Sequence, residues 1–171
     1  KSDRETFRSA DRKRLFALLA PFKDVLLLTA HSHTQTQVSH GPDTDWFGAG
    51  RLYEYNAGAT CGAFWSGVKD LAGIPDTTMS DGTPNGYARL KIDRNDYRLN
   101  WFNARQDPNQ AMALHAPKVL RKGAYPGFGV TANVFMARPD TEVLARIDDG
   151  PWHKMQRVLK PDPLILQINA L

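Results

Sequence analysis

A stretch rich in glycine and proline, residues 58–86, is the feature that most restricts how this chain can fold. These residues recur too often for a regular helix or strand to form between them: Gly58, Gly62, Gly67, Gly73, Pro75, Gly82, Pro84 and Gly86. Irregular segments of this length inside a folded chain are usually functional. We therefore expect regular structure on either side and a candidate functional loop between.

N-terminal to this loop, the sequence predicts one helix and two strands. Ser2 and Glu5 have the spacing of a capping box, which predicts a helix from there to about Ala20. The apolar run Val25–Leu28 has the composition of a buried strand at the centre of a sheet. After a second loop, Leu52–Asn56 is predicted to return as a strand, so this part reads as an α/β layer.

C-terminal to the loop, the patterning favours β-structure. Residues 88–92 and 97–101 alternate apolar and polar side chains around an Arg94-Asn95 turn, which predicts a hairpin. Residues 104–117 lose this periodicity and carry two prolines, which predicts a linker. Three later segments alternate again and are predicted as strands: Val130–Val134, Val143–Ile147 and Leu164–Ile168.

These strands are too few to close a β-sandwich, which usually has about seven. The sequence also ends directly on a predicted apolar strand, Leu164–Leu171. We therefore expect a partial, sandwich-like domain that is truncated at its C-terminus.

Composition excludes several classes of protein. An apolar fraction of 42% and a charged fraction of 23% are typical of soluble globular chains. The net charge of +4 is spread along the chain, which does not favour nucleic-acid binding. The apolar run Val25–Leu28 is far too short to span a membrane. Localisation stays open, with the periplasm and the extracellular space as candidates.

The one cysteine, Cys61, excludes an internal disulfide and a cysteine-rich zinc site. Small apolar residues flank it in the sequence and no base lies beside it. We therefore expect a buried packing residue rather than a nucleophile.

His31-Ser32-His33 follows the predicted buried strand directly. On an extended strand, residues two positions apart point to the same side, so both imidazoles would face one pocket. Two-metal hydrolases hold their ions about 3.5–4 Å apart, which such a pair can serve. The spacing alone is also compatible with surface or structural histidines. His40, His115 and His153 lack ligand-like spacing and are predicted to be surface or structural residues.

At these residues the sequence resembles the calcineurin-like metallophosphoesterases, whose last motif is Gly-His-x-His at the end of a core strand. The segment Ala30–His33 differs from that motif only in Ala30. Residues 56–67 and 79–87, which read NAGATCGAFWSG and MSDGTPNGY, are similar to the bacterial branch that joins this core to a β-rich C-terminal domain. The resemblance covers the whole chain and is strongest over residues 25–103.

The resemblance implies an α+β fold. Residues 1–103 would form the C-terminal part of the metallophosphoesterase α/β sandwich, residues 104–127 a linker, and residues 128–171 the β-rich domain. It also implies that His31 and His33 are ligands of a centre of two divalent ions, Mn, Fe or Zn, that hydrolyses phosphate mono- or diesters.

The family's other motifs, Asp-x-His, Gly-Asp-x-x-Asp and Gly-Asn-His, do not occur in the sequence. Four or more metal ligands are therefore missing, and no catalytic residue carries over from the family. We expect this chain alone to be inactive, and two neutral imidazoles are too few donors to hold two ions. The other ligands would come from an N-terminal half of the same protein or from a separate polypeptide packed against it.

Trp65, Asp81 and Asn85 lie in the glycine-rich loop and are the candidates for substrate binding. Asp81 and Asn85 also fit ordinary turn chemistry. Trp65 and its neighbour Phe64 can either cap the core or line a substrate cleft. Two other functions stay open: a β-rich binding module without catalytic activity, and a structural remnant whose histidines bind nothing.

Overall fold

The N-terminal part of the chain is built on a three-stranded sheet. The computed structural model describes residues 7–65, 67–116 and 129–169, except for the side chains of residues 167–169. Helix α1 spans Ser9–Leu19, and the strands are β1 (Asp24–Thr29), β2 (Gln35–His40) and β3 (Arg51–Ala57). Strand β3 lies in the middle, parallel to β1 and antiparallel to β2. The predicted α/β layer is present, while the Ser2–Glu5 capping box lies outside the described residues.

The core of this part is small and lies between α1 and the sheet. Phe16 of α1, Trp46 and Leu52 of β3 are buried, and Val25 and Leu27 pack against them. The Phe16 and Trp46 rings meet edge to face, with centroids 5.8 Å apart. This contact holds α1 against the loop that precedes β3, because aromatic pairs prefer that geometry.

The prediction of a buried central strand at Val25–Leu28 is wrong. Within the described residues β1 is an edge strand paired only with β3, and Leu28 is 56% exposed. Apolar composition alone does not bury a strand, since burial also needs a neighbour on each side. Strand β1 thus carries the sequence of an interior strand at an open edge.

C-terminal to the glycine-rich loop, the described residues form three two-stranded antiparallel sheets. The predicted hairpin is present as β4 (Gly86–Asp93) and β5 (Asp96–Asn103). Strand β6 (Met112–His115) pairs with β7 (Thr131–Val134), and β8 (Leu144–Ala145) pairs with β9 (His153–Lys154). The α+β fold class is confirmed.

The stretch predicted as a linker, residues 104–127, differs from expectation in that it contains β6. Residues 117–128 lie outside the described part of the chain. The division into residues 1–103, 104–127 and 128–171 therefore stays a prediction.

The predicted strand at Leu164–Leu171 is wrong, because helix α2 spans Pro163–Asn169. The Asp162 carboxylate accepts a hydrogen bond from the Leu164 amide at 2.8 Å, and Pro163 occupies the first helical position. Both are strong signals for a helix start. They outweigh the alternating leucines that favoured a strand. Among the described residues no helix is both long and apolar enough to cross a membrane.

Candidate metal-ligand turn

The two candidate ligands lie in a turn rather than on a strand, which corrects the expected geometry. Strand β1 ends at Thr29, and both His31 and His33 have positive φ angles, 89° and 55°. Such backbone conformations cost roughly 1–3 kcal/mol in non-glycine residues and cluster at functional sites. The surrounding contacts must therefore hold this turn in place.

The imidazole of His33 has a defined tautomer. Its Nδ1 lies 2.6 Å from the Gly62 carbonyl oxygen. Because a carbonyl only accepts, Nδ1 must carry the hydrogen, and Nε2 keeps its lone pair. A metal-ligating histidine usually donates its second ring N–H in this way, which fixes the ring and raises the basicity of the ligating nitrogen. In the neutral imidazole, Nε2 is therefore the ring nitrogen of His33 that could coordinate a cation.

The backbone of His33 is held by a second segment, residues 79–83, which we call the buried turn. The Ser80 amide donates to the His33 carbonyl at 2.8 Å. Two residues further on, the Gln35 amide donates to Asp81 Oδ2 at 2.8 Å. The first bond joins the buried turn to the histidine turn, residues 31–34, and the second joins it to the start of β2 directly after that turn, so together they stabilise the positive φ angles.

His31 differs from His33 in that it is exposed. Ser32, the residue between them, is held by two hydrogen bonds. Asn56 Nδ2 donates to Ser32 Oγ at 2.9 Å, and the Ser32 and Thr34 hydroxyls are hydrogen-bonded to each other. The backbone therefore fixes the position of His31, and its side chain is accessible to solvent.

The donor set of the described residues is incomplete for a metal centre. No group of three or more His, Cys, Asp or Glu side chains comes together in residues 7–65, 67–116 and 129–169. His33 fits the role of a ligand by its tautomer and orientation. Two imidazoles do not fit the full coordination of two divalent ions, which need further oxygen or nitrogen donors.

An aromatic ring covers one face of His33. The Phe64 ring is stacked on the imidazole, with centroids 5.8 Å apart and planes inclined by 24°, yet Phe64 is 93% exposed. Trp65 is half exposed, and its Nε1 donates to the Val68 carbonyl at 2.6 Å. Neither ring caps the core of the described chain.

Asp81 and Asn85 both hold neighbouring backbone. Asp81 Oδ1 accepts from the Thr83 amide at 2.9 Å, so both its carboxylate oxygens bind main-chain N–H groups. Asn85 Nδ2 donates to the Thr60 carbonyl at 2.9 Å, and its side chain lines an open cleft with Cys61 and Arg105. Asp81 is thus engaged within the fold, whereas Asn85 borders open space.

The prediction that Cys61 is a buried packing residue is wrong. Cys61 is exposed, with Sγ 3.5 Å from the Gly62 carbonyl oxygen. The turn at Gly62, where φ is +73°, directs the side chain before it toward solvent. Small apolar neighbours in the sequence therefore do not bury this side chain, although Gly58 and Gly62 are themselves buried.

Two of the three histidines predicted to be surface or structural residues form pairs with carboxylates. His40 Nε2 lies 2.8 Å from Glu54 Oε2, and His115 Nε2 lies 3.3 Å from Asp162 Oδ2. His153 is exposed on β9. The site residues that sequence reasoning missed are Gly62 and Ser80, which act through backbone groups that any residue possesses.

Comparison with known proteins finds one family. The family model described as the C terminal of calcineurin-like phosphoesterase matches residues 54–170. The match includes the glycine-rich loop and the buried turn and begins after the histidine turn. Searches of curated proteins and of solved structures give no match.

Proposed function

The chain belongs to the calcineurin-like phosphoesterases, and on this basis we propose that it is the C-terminal portion of a metal-dependent enzyme that hydrolyses phosphate mono- or diesters. The observation that carries the proposal is the hydrogen bond from His33 Nδ1 to the Gly62 carbonyl. It leaves Nε2 as a free donor atom, on a turn that β1 and the buried turn hold in a strained conformation.

His31 and His33 are the proposed ligands of two divalent ions, Mn, Fe or Zn. When bound, such ions lower the pKa of a coordinated water and neutralise charge on the phosphoryl oxygens. Because the described residues supply only two ligands, the remaining ligands are proposed to come from an N-terminal part of the same protein or from a partner chain. Among the described residues β1 pairs only with β3, and this unpaired edge supports a neighbouring strand from outside them.

Phe64, Trp65 and Asn85 are the proposed contacts for the leaving group of the ester. Phe64 offers a free ring face directly beside His33, and an exposed aromatic ring gains from stacking on a planar group. Asn85 can donate or accept hydrogen bonds at the edge of the nearby cleft. Asp81, which the sequence also predicts as a substrate contact, is better suited to hold the loop because both its oxygens already bind amides.

Activity of the complete gene product tests the proposal. We expect divalent-metal-dependent hydrolysis of an aryl phosphate or an aryl phosphodiester, with a loss of roughly 100-fold or more in His33→Gln. His153→Gln, a change at an exposed histidine on β9, is the matched control and should be fully active. Equal activity in His33→Gln and in the control would refute the proposed role of His33.

A further inference from the structure

A side chain from the C-terminal part of the protein reaches the buried turn. Asn133 lies on β7, and its Nδ2 donates to the Asp81 carbonyl at 2.7 Å and to Asp162 Oδ2 at 2.9 Å. One amide group thus uses both its hydrogens to join the glycine-rich loop to the segment that begins α2. No apolar side chain of similar size can make these two bonds.

Asp162 is itself fixed from several sides. Its side chain is only 4% exposed, lies beside His115 and accepts from the first amides of α2. It also packs directly against Gly82 of the buried turn, where an added Cβ would come within 2.4 Å of Asp162 Cγ. A buried carboxylate requires such partners, since an unpaired one is strongly disfavoured. Asp162 is therefore a rigid support for Asn133.

The same path continues to the candidate ligand. Asn133 holds the carbonyl of Asp81, the carboxylate of Asp81 holds the Gln35 amide, and the Ser80 amide holds the carbonyl of His33. Each step is a hydrogen bond of 2.7–2.8 Å, and the two that involve Asp81 are partly buried. Strained backbone persists only where its surroundings over-determine it, and this path supplies that constraint.

We infer that Asn133 and Asp162 are positioning residues that hold His33 in its ligating conformation. The β-rich C-terminal part is then a support of the metal-ligand turn and not a separable binding module. This inference rests on the proposed function for the role of His33, but the physical link between Asn133 and the histidine turn does not depend on metal.

Amide hydrogen exchange on the 171-residue chain tests the link. In Asn133→Ala we expect the Gln35 and Ser80 amides to exchange about ten times faster, while the amide of Leu52, in the centre of the sheet, is unchanged. Asn133→Asp should have a larger effect, because its carboxylate would face Asp162. Asn100→Ala, at an exposed position of β5, is the matched control.

The inference is overturned if Gln35 and Ser80 exchange as in the control. It is also overturned if Leu52 accelerates by the same factor, because Asn133 would then act only on global stability. Either result can be read without any assay of activity.

Metal titration of the complete gene product, with Mn or Zn alone as the probe, separates this inference from the proposed function. We expect Asn133→Ala to weaken metal affinity roughly 3–10-fold, whereas Asn100→Ala should not. Absence of binding by the unmodified protein would defeat the proposed function and the ligating role of His33 together. Unchanged affinity in Asn133→Ala beside normal binding would defeat the positioning role alone.

Discussion

His33 lies between two loop segments that differ in almost every physical respect. The buried turn, residues 79–83, contains Met79 and Thr83, which are almost completely inaccessible, and the amides of Met79, Ser80 and Gly82 donate to backbone carbonyls. On the other side is the aromatic loop, residues 63–65 and 67–75, where Phe64, Leu71 and Ile74 are exposed. Both come from the same glycine-rich stretch, so glycine content does not distinguish them.

Because of this difference, the two segments have separate roles beside His33. The buried turn contacts the backbone of His33 through Ser80, and the aromatic loop contacts its ring through Phe64. A segment with satisfied hydrogen bonds and buried side chains can fix a conformation, whereas exposed apolar rings are available to bind another group. Changes in the buried turn should therefore alter stability, and changes in the aromatic loop should alter binding.

The largest expected effect comes from Gly82→Ala in the buried turn. The new Cβ would lie 2.4 Å from Asp162 Cγ at a residue with φ of +80°, so we expect a loss of about 3 kcal/mol in the free energy of unfolding. Gly73→Ala in the aromatic loop is the matched control, because its φ is +78° but the added Cβ would meet nothing within 4 Å. Its backbone cost is about 1 kcal/mol. Equal losses in urea unfolding would contradict the comparison.

Asp81→Ala should have the next largest effect. It leaves the Gln35 and Thr83 amides without their carboxylate partner, which should cost about 2 kcal/mol of unfolding free energy. Asp76→Ala removes a carboxylate that is paired with Arg105 but is 42% exposed, and should cost under about 1 kcal/mol. The same unfolding measurement compares them, and a larger loss in Asp76→Ala would contradict the stabilising role of the buried turn.

Tyr55→Phe changes a buried residue of β3, and we expect it to alter how the free energy of unfolding depends on pH. Burial, with smaller contributions from Tyr53 and Asp81, raises the pKa of Tyr55 to about 12 from 10.0. The folded chain then holds this proton more tightly than the unfolded chain, so the stabilisation is complete below pH 10.0 and is lost as pH rises toward about 12.

Replacing Tyr55 with Phe removes its hydrogen bond to Gln35 Oε1 and should cost about 1 kcal/mol at neutral pH. Above pH 10.0 the variant should lose stability less steeply than the unmodified chain. Urea unfolding over a pH series measures both effects. Parallel pH profiles for the two proteins would show that Tyr55 does not titrate as expected.

The smallest expected effect on stability is that of Phe64→Ala in the aromatic loop. A ring that is 93% exposed contributes little to folding, so the free energy of unfolding should change by less than about 0.5 kcal/mol. In the complete protein, the same change should reduce kcat/KM for an aryl ester more than for a glycerol phosphate. An equal reduction for both substrates would remove Phe64 from the leaving-group site.

The parts of the fold that were predictable from sequence are those set by local patterning. The β4–β5 hairpin alternates strictly around Arg94, whose φ of 55° suits the tight turn. The sequence does not predict β2, because Gln35–His40 is largely polar. In the structure the Tyr55 hydroxyl of β3 donates a hydrogen bond to Gln35 Oε1 of β2. The alternation of Leu164 and Leu166 predicts a strand, whereas the Asp162-Pro163 start signal produces helix α2.

The sequence points to His31 and His33 as candidates, and their role stays a prediction, but the geometry of their turn could not be predicted from it. His31 and His33 could be chosen from their spacing and context, yet their positive φ angles and the Gly62 carbonyl that sets the tautomer depend on contacts made by distant segments. Exposure was unpredictable for the same reason. Leucine and cysteine are residue types that are usually buried. Leu28 and Cys61 are nevertheless exposed, because of how the neighbouring elements are arranged.

The central claim is that His31 and His33 ligate the metal ions of a phosphoesterase whose other ligands come from outside the described chain. Metal content of the purified complete gene product, compared with its His31→Gln and His33→Gln variants, tests that claim most directly. We expect bound divalent metal in the unmodified protein and a clear loss in each variant, with His153→Gln retaining its full content. Metal content that is unchanged in both His31→Gln and His33→Gln would contradict it.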